Sequence, residues 1–302
     1  MKWHPASPGE LVADLAVITP SYAPDFEICR DLNASVLAYM PDSVRHYVIT
    51  PRRDRDLFAC LNGKRTTVWS VNQLLPSSFK DVPWANAWMN LRHIGPPIRG
   101  WIMQQVVKFL AATLVEADML LLADSDVTLV RPVTAETFRP SDRIRMYRKD
   151  AAINESMPRH LTWHDNARKM LKVPPARPPL PDYVSALNIW ERRTVMALRD
   201  RLQDTTGRSW IEVITSQLHI SEFILYGVFV DEILADTAAV EPTESMLCHS
   251  YWDTEPLSLA AAKQFAGSLK DEDVAVMISA KSRTPLQVRR QALSWLSDKL
   301  LD

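Results

Sequence analysis

Met119-Leu120-Leu121-Leu122-Ala123 runs directly into Asp124-Ser125-Asp126. Five apolar residues in a row, ended by turn formers, are what a strand covered on both faces requires, because its side chains point alternately to either side and all must avoid water. Two carboxylates separated by one residue at the carboxyl end of such a strand project to the same side of an extended chain, where they can share a divalent cation. Upstream, Met103, Val106, Val107, Leu110 and Leu114 mark one apolar face of a helix opening at Gly100, with Gln104 and Lys108 one turn apart on a more polar side.

Farther out, Leu15-Ala16-Val17-Ile18 reads as another buried strand, opening into the loop Thr19-Pro20-Ser21-Tyr22. Pro24 starts a helix that carries Cys29, Leu32, Val36 and Tyr39 at helical spacing until Pro41 stops it. Two further strands are predicted at His46 to Thr50 and Thr66 to Val71. Residues 76 to 98, rich in proline and carrying Trp84 and Trp88, read as a surface excursion. This order predicts an α/β fold, a mixed but mostly parallel sheet with helices on both faces. In such sheets ligands lie beyond the carboxyl ends of strands, so the loops at 19 to 22 and 124 to 126 are the places to look.

The second half is less regular. Helices are predicted at Thr162 to Leu171, Arg192 to Leu202 and Ser216 to Tyr226, with a loop at Pro174 to Pro181 between them. A last strand at Val274 to Ser279 precedes a terminal helix with Thr284 as N-cap, Pro285 at its first position and Gln287 three residues after the cap. One continuous domain over 1–302 is expected, its halves meeting near residue 150.

Composition narrows the partners. Lys and Arg number 35 against 36 Asp and Glu, which leaves no basic footprint for nucleic acid or an anionic membrane. The three cysteines, Cys29, Cys60 and Cys248, lie far apart in no metal-ligand spacing, as free thiols in a reducing compartment would. The first residues lack the apolar core of a signal, and no apolar stretch reaches the ~20 residues of a membrane span, so a soluble, cytoplasmic chain with no transmembrane segment is expected. With 7 glycines, none close together, phosphates cannot be cradled by a Gly-rich loop. Mg²⁺ or Mn²⁺ on Asp124 and Asp126 would instead neutralise a diphosphate; the plainer reading of the same pair is a turn or helix cap.

Val17-Ile18-Thr19-Pro20-Ser21-Tyr22, the helix from Gly100-Trp101 to Lys108 with its Gln104-Gln105 pair, Leu120 to Asp126, Ser221-Glu222-Phe223-Ile224-Leu225-Tyr226-Gly227 and His249-Ser250-Tyr251-Trp252 follow one another in a telling order. Together they resemble GT-A glycosyltransferases, especially a poorly characterised bacterial glycosyltransferase-like group of the DUF6492 type. The resemblance implies a GT-A-like fold, with a nucleotide-sugar-binding half at about 10–150 and an acceptor-side half at about 151–302. It also implies a hexosyltransferase-type enzyme that moves a sugar from a nucleotide diphosphate sugar to a hydroxyl acceptor such as a glycan, glycolipid or glycosylated small molecule.

Carried over by position, the resemblance places Thr19, Pro20, Ser21 and Tyr22 in the nucleotide pocket, makes Asp124, Ser125 and Asp126 the metal and diphosphate loop, and has His249 complete the metal site. Gln105 and Lys108 become donor-site residues, although an ordinary solvated helix face reads the same way. Arg52 and Arg53 stand as base or phosphate contacts, or as plain loop arginines. Glu222 falls where inverting enzymes keep the catalytic base, though a glutamate opening a helix also serves the helix dipole; a retaining enzyme would need no base. Trp163-His164-Asp165, Tyr183, Trp190 and Tyr251-Trp252 offer acceptor surfaces, most of them expected in the core. Arg139, Arg143, Arg145, Arg148 and Lys149 form a basic run for an anionic acceptor or a solvated face. Val184-Ser185-Ala186 stands where the resemblance leads one to expect glycines.

Two rivals stay open. Asp124-Ser125-Asp126-Val127-Thr128 also fits the nucleophile loop of a haloacid dehalogenase-like phosphohydrolase, with Asp271 and Asp273 as the later acidic pair, although that loop normally follows the first strand. The other rival is a non-catalytic nucleotide-sugar-binding protein.

Overall fold

The computed structural model describes residues 13–92 and 95–301, so the reading of the first residues lies outside it. The first half runs through β1 (Ala13–Pro20), α1 (Phe26–Tyr39), β2 (Arg45–Thr50), α2 (Arg55–Phe58), β3 (Thr66–Ser70) and α3 (Val71–Leu74). It continues with β4 (Phe79–Val82), β5 (Ala87–Asn90), β6 (Ile98–Arg99), α4 (Gly100–Leu114), β7 (Ala117–Ala123), β8 (Val127–Leu129), α5 (Ala135–Phe138), β9 (Ile144–Tyr147) and β10 (Lys149–Ile153). The second half holds α6 (Pro158–Leu171), β11 (Leu180–Asp182), β12 (Leu187–Glu191), α7 (Arg192–Thr206), α8 (Trp210–Thr215) and α9 (Glu222–Phe229). After β13 (Val240–Thr243) and β14 (Cys248–Tyr251) come α10 (Leu259–Gly267), β15 (Ala275–Ile278) and α11 (Leu286–Leu301).

The central sheet has the order β12-β7-β1-β2-β3, with every pair parallel except β12 against β7. Its pleat sorts the apolar runs onto two faces. Leu15, Val17, Met119, Leu121 and Ala123 pack with Leu32 and Val36 of α1, while Ala16, Ile18, Leu120 and Leu122 pack with α4 and the helices beyond it. Both faces are therefore dry, which is why neither strand alternates with polar residues. From β1 the chain goes to β2 and β3 on one side, then crosses through α4 to β7 on the other. The order thus reverses between β1 and β7. The second half is built into the first: β12 borders β7, and β15 lies between β14 and β8 in a second, three-stranded sheet.

Three readings are corrected. Residues 76 to 98 are no bare excursion, since β4, β5 and β6 form an antiparallel sheet there with Trp88 buried and Trp84 exposed. Of the helix expected from Ser216 to Tyr226 only the last part forms: α8 ends at Thr215, residues 216 to 221 are turn and loop, and the extended Ser221, whose hydroxyl accepts the Ile224 N–H, caps α9 at Glu222. Thr284 does not cap α11; its hydroxyl accepts the Leu257 N–H and the helix opens at Leu286. The cysteines are free thiols, Cys29 and Cys248 buried and Cys60 exposed. No helix among the described residues is long and apolar enough to cross a membrane.

Candidate functional site

Where the strand order reverses, the loops leaving β1 and β7 lie side by side, and the Ser125 hydroxyl donates to Ser21 Oγ at 2.8 Å. Ser21 is fixed in turn by its N–H to Ile49 O at the end of β2. The loop after β2 joins the group through Asp54, which accepts the Ala23 N–H at 2.9 Å. Tyr22 is exposed above this junction, and Arg52 is exposed on the turn after β2. Pro20 is buried, its carbonyl 3.4 Å from Ser125 Oγ. Thr19 is different. It is fully buried and pairs with His46 Nε2 at 2.9 Å, while His46 Nδ1 donates to Asn33 Oδ1. Thr19 thus serves the core beneath the loop and does not line a nucleotide pocket.

The two aspartates are held from opposite directions. Asp126 Oδ2 accepts the Ala280 N–H at 2.7 Å, at the far end of β15. Burial, and then the charge of Asp124, push its carboxyl up to about 6, against the pull of Ala280 N–H and Arg289. Asp124 keeps a side chain 48% exposed, with Oδ1 2.9 Å from Lys108 Nζ. A recess against Asp126 holds about 20 Å³, room for roughly one water. The half-exposed Asp124 is the open side of the pair, accessible to a larger ligand.

Lys108 and Gln105 are no solvated helix face, for both are buried. Lys108 Nζ also lies 2.8 Å from Glu222 Oε1, and Gln105 Oε1 accepts the Glu222 N–H at 2.9 Å. Burial lowers the Lys108 pKa, but the charges of Asp124 and Glu222 outweigh it and raise it above the usual lysine value. Through Lys108, Glu222 lies beside the Asp124 loop, its carboxylate engaged by the ammonium.

His249 does not join the aspartates. Its ring stacks on Phe265 with centres 4.2 Å apart and its Nε2 meets Ser268 Oγ at 3.0 Å. It borders a separate cavity of about 480 Å³ with Trp252 and Lys270. Among the described residues no three His, Cys, Asp or Glu side chains are grouped to hold a metal.

Two residues at the site were missed. Asp25, just after the β1 loop, has its carboxyl pushed up to about 6 by burial and by Asp124, with Arg289 opposing. Arg289, buried in α11, donates to the carbonyls of Ile278, Ser279 and Thr284 and so fixes the turn that offers Ala280 N–H to Asp126. Position after the first strand could have flagged Asp25; nothing local marks Arg289.

The remaining expectations divide. Trp163, His164, Tyr183 and Trp190 are buried, which leaves Trp252 as the one widely exposed ring among the named acceptor surfaces. Arg143 donates to Val240 O, and Arg148 pairs with Asp231 and Asp150, so much of the basic run is engaged within the protein. Ser185, in the stretch where glycines were expected, donates to Leu187 O. Asp273 accepts the Lys270 N–H at the start of β15, the opposite end from Ala280 and Asp126. The acidic pair required by the hydrolase reading is therefore not at the Asp124 loop.

No curated protein matches the sequence. Among solved structures, the chain is similar to the WbbM bifunctional glycosyltransferase in its apo form, with TM-score 0.47 and 8% identity, covering 90% of this chain and 47% of that one. It thus spans about half the length of WbbM. It is also similar to an active-site mutant of LgtC, with TM-score 0.46 and 12% identity, covering 94% of this chain and 95% of that one. The sequence matches, over residues 11–298, the family described as "Family of unknown function (DUF6492)", and the chain belongs to that family.

Proposed function

We propose that this protein is a glycosyltransferase that binds a nucleotide diphosphate sugar with Mn²⁺ or Mg²⁺ at Asp124 and Asp126 and transfers the sugar to a hydroxyl acceptor. One observation carries the reading: the Asp124-Ser125-Asp126 loop and the Ser21-Tyr22 loop are joined by hydrogen bond at the carboxyl ends of β7 and β1, where the strand order reverses. Crevices at such points are where open α/β sheets bind nucleotides.

The donor set fits a hard cation. Two carboxylates whose charges oppose each other, one of them half-exposed, suit Mg²⁺ or Mn²⁺. Among the described residues no third His, Cys, Asp or Glu is grouped with them, so Asp124 and Asp126 would be the side chains that hold the ion. Such an ion supplies charge stabilisation for the departing diphosphate. The chain's own residues supply the frame: Ala280 N–H orients Asp126, Lys108 orients Asp124, and Tyr22 offers an exposed ring next to the Ser21–Ser125 junction. His249 has no place in this metal site.

Incubation with a panel of nucleotide sugars and Mn²⁺ tests the reading. Slow donor hydrolysis is expected, lost on chelation and lost in Asp126→Asn. Full activity in that variant removes the mechanism, release of phosphate from simple esters points to the hydrolase, and binding without turnover to a binding protein.

A further inference from the structure

Lys108 is 3% exposed and stands between two carboxylates, 2.8 Å from Glu222 Oε1 and 2.9 Å from Asp124 Oδ1. Its Nζ also lies 4.7 Å from the centre of the Phe223 ring. A buried ammonium persists only when paired. The two partners are not alike: the Glu222 side chain is 8% exposed, that of Asp124 48%. Glu222 is also fixed through its backbone, its N–H held by Gln105 Oε1 one turn before Lys108 on α4. α4 therefore grips the first residue of α9 twice.

We propose that Lys108 is a positioning residue of the donor site and Glu222 its anchor, so that Glu222 is not the proton acceptor. This rests on the reading that Asp124 faces the metal and diphosphate. The argument is one of charge. One ammonium shared by two carboxylates leaves the trio at net −1, and because Glu222 takes its part, Lys108 orients Asp124 without cancelling it. With the Glu222 charge removed, Lys108 would pair with Asp124 alone, and the attraction of that loop for a cation would fall. A general base needs a lone pair within reach of the substrate proton. Glu222 instead directs its carboxylate at Lys108, inside the protein.

Calorimetric titration with Mn²⁺, together with donor hydrolysis measured against pH, tests this on the full chain. Glu222→Gln is expected to weaken Mn²⁺ binding about five-fold or more, the order set by one unit charge a few ångströms away. It is also expected to raise the Mn²⁺ needed for half-maximal rate and to keep the acid limb of the kcat profile. Unchanged Mn²⁺ binding with a collapsed kcat and a lost acid limb would make Glu222 the base and overturn the proposal.

Thermal melts supply the check on folding. Lys108→Met strands two carboxylates and is expected to lower Tm, and adding Glu222→Leu to it is expected to restore part of the loss, since both buried partners are then gone. A double variant no more stable than Lys108→Met alone also overturns the pairing. Wild-type protein that binds no Mn²⁺ defeats the donor-site reading before any variant is compared, whereas Mn²⁺ binding that Glu222→Gln leaves untouched defeats only the anchor.

Discussion

His46 decides what Thr19 can do. Its Nδ1 donates to Asn33 Oδ1, which leaves Nε2 to accept the Thr19 hydroxyl, and burial lowers its pKa to about 3. In the unfolded chain a histidine titrates near 6.5, so the unfolded state takes the proton first and stability is lost as pH falls from about 6.5 towards 3. Asp25 and Asp126 act oppositely, their raised carboxyls adding stability as pH drops below about 6. Comparing wild type with His46→Gln cancels those two. The stability difference between them is expected to be flat above pH 7 and to shrink by up to about 1.4 kcal/mol per pH unit below 6.5. A difference that stays flat down to pH 4 in denaturant titrations would disprove the neutral buried histidine. At this scale the sequence announces the Asp124-Ser125-Asp126 loop, because its signal is local: an apolar run ended by two acids. It could not announce the roles of Thr19 or Lys108. Whether a polar side chain on an otherwise apolar element turns inward depends on a partner, and for Lys108 that partner is 114 residues away.

At the scale of elements, periodicity found β1, α1, β2, β3, α4 and β7, whose burial follows from their own pattern. It failed where a polar cap, and not apolar spacing, sets the boundary. Ser221 begins α9 through a single hydroxyl, and no apolar spacing records that. Two elements yield measurable consequences. The Arg65 guanidinium, entering from the start of β3, donates to the carbonyls of Leu37 and Met40 at 3.0 and 2.9 Å and closes the C-terminal end of α1. Arg65→Met keeps the stem and removes the donors, and is expected to cost about 1–3 kcal/mol in urea unfolding. Gly227 lets α9 rest against Tyr183, where an added Cβ would stand 2.3 Å from ring atoms. Gly227→Ala is expected to lose about 1–3 kcal/mol through overpacking despite the better helix propensity of alanine. A stabilised variant would mean that the ring moves freely.

Over the whole molecule, the loop between β7 and β8 is the passage from the central sheet into the second one, and α11 closes on it from outside. Arg289 makes that closure through three carbonyls around residues 278 to 284, and Arg290 adds a bidentate pair with Asp31 of α1. The Arg290 contacts are half-exposed, and Arg290→Ala is expected to change stability by less than about 1 kcal/mol. Arg289→Lys cannot reach three carbonyls at once; a loss of about 2–3 kcal/mol is expected, with weaker Mn²⁺ binding because the Ala280 N–H drifts from Asp126. Equal effects of the two substitutions in parallel melts would contradict this ranking. The C-terminal helix was legible as a helix, but its hold on the site was not, since that hold consists of backbone carbonyls brought together only by the second sheet.

Asp124 is steadied from α4 and α9, Asp126 from the turn after β15, so the two neighbours in sequence answer to different parts of the molecule. An ion clasping both would therefore fasten those parts to each other. Slower amide exchange at Glu222 and at Ala280 together, on opposite flanks of the crevice, would be the mark of its arrival.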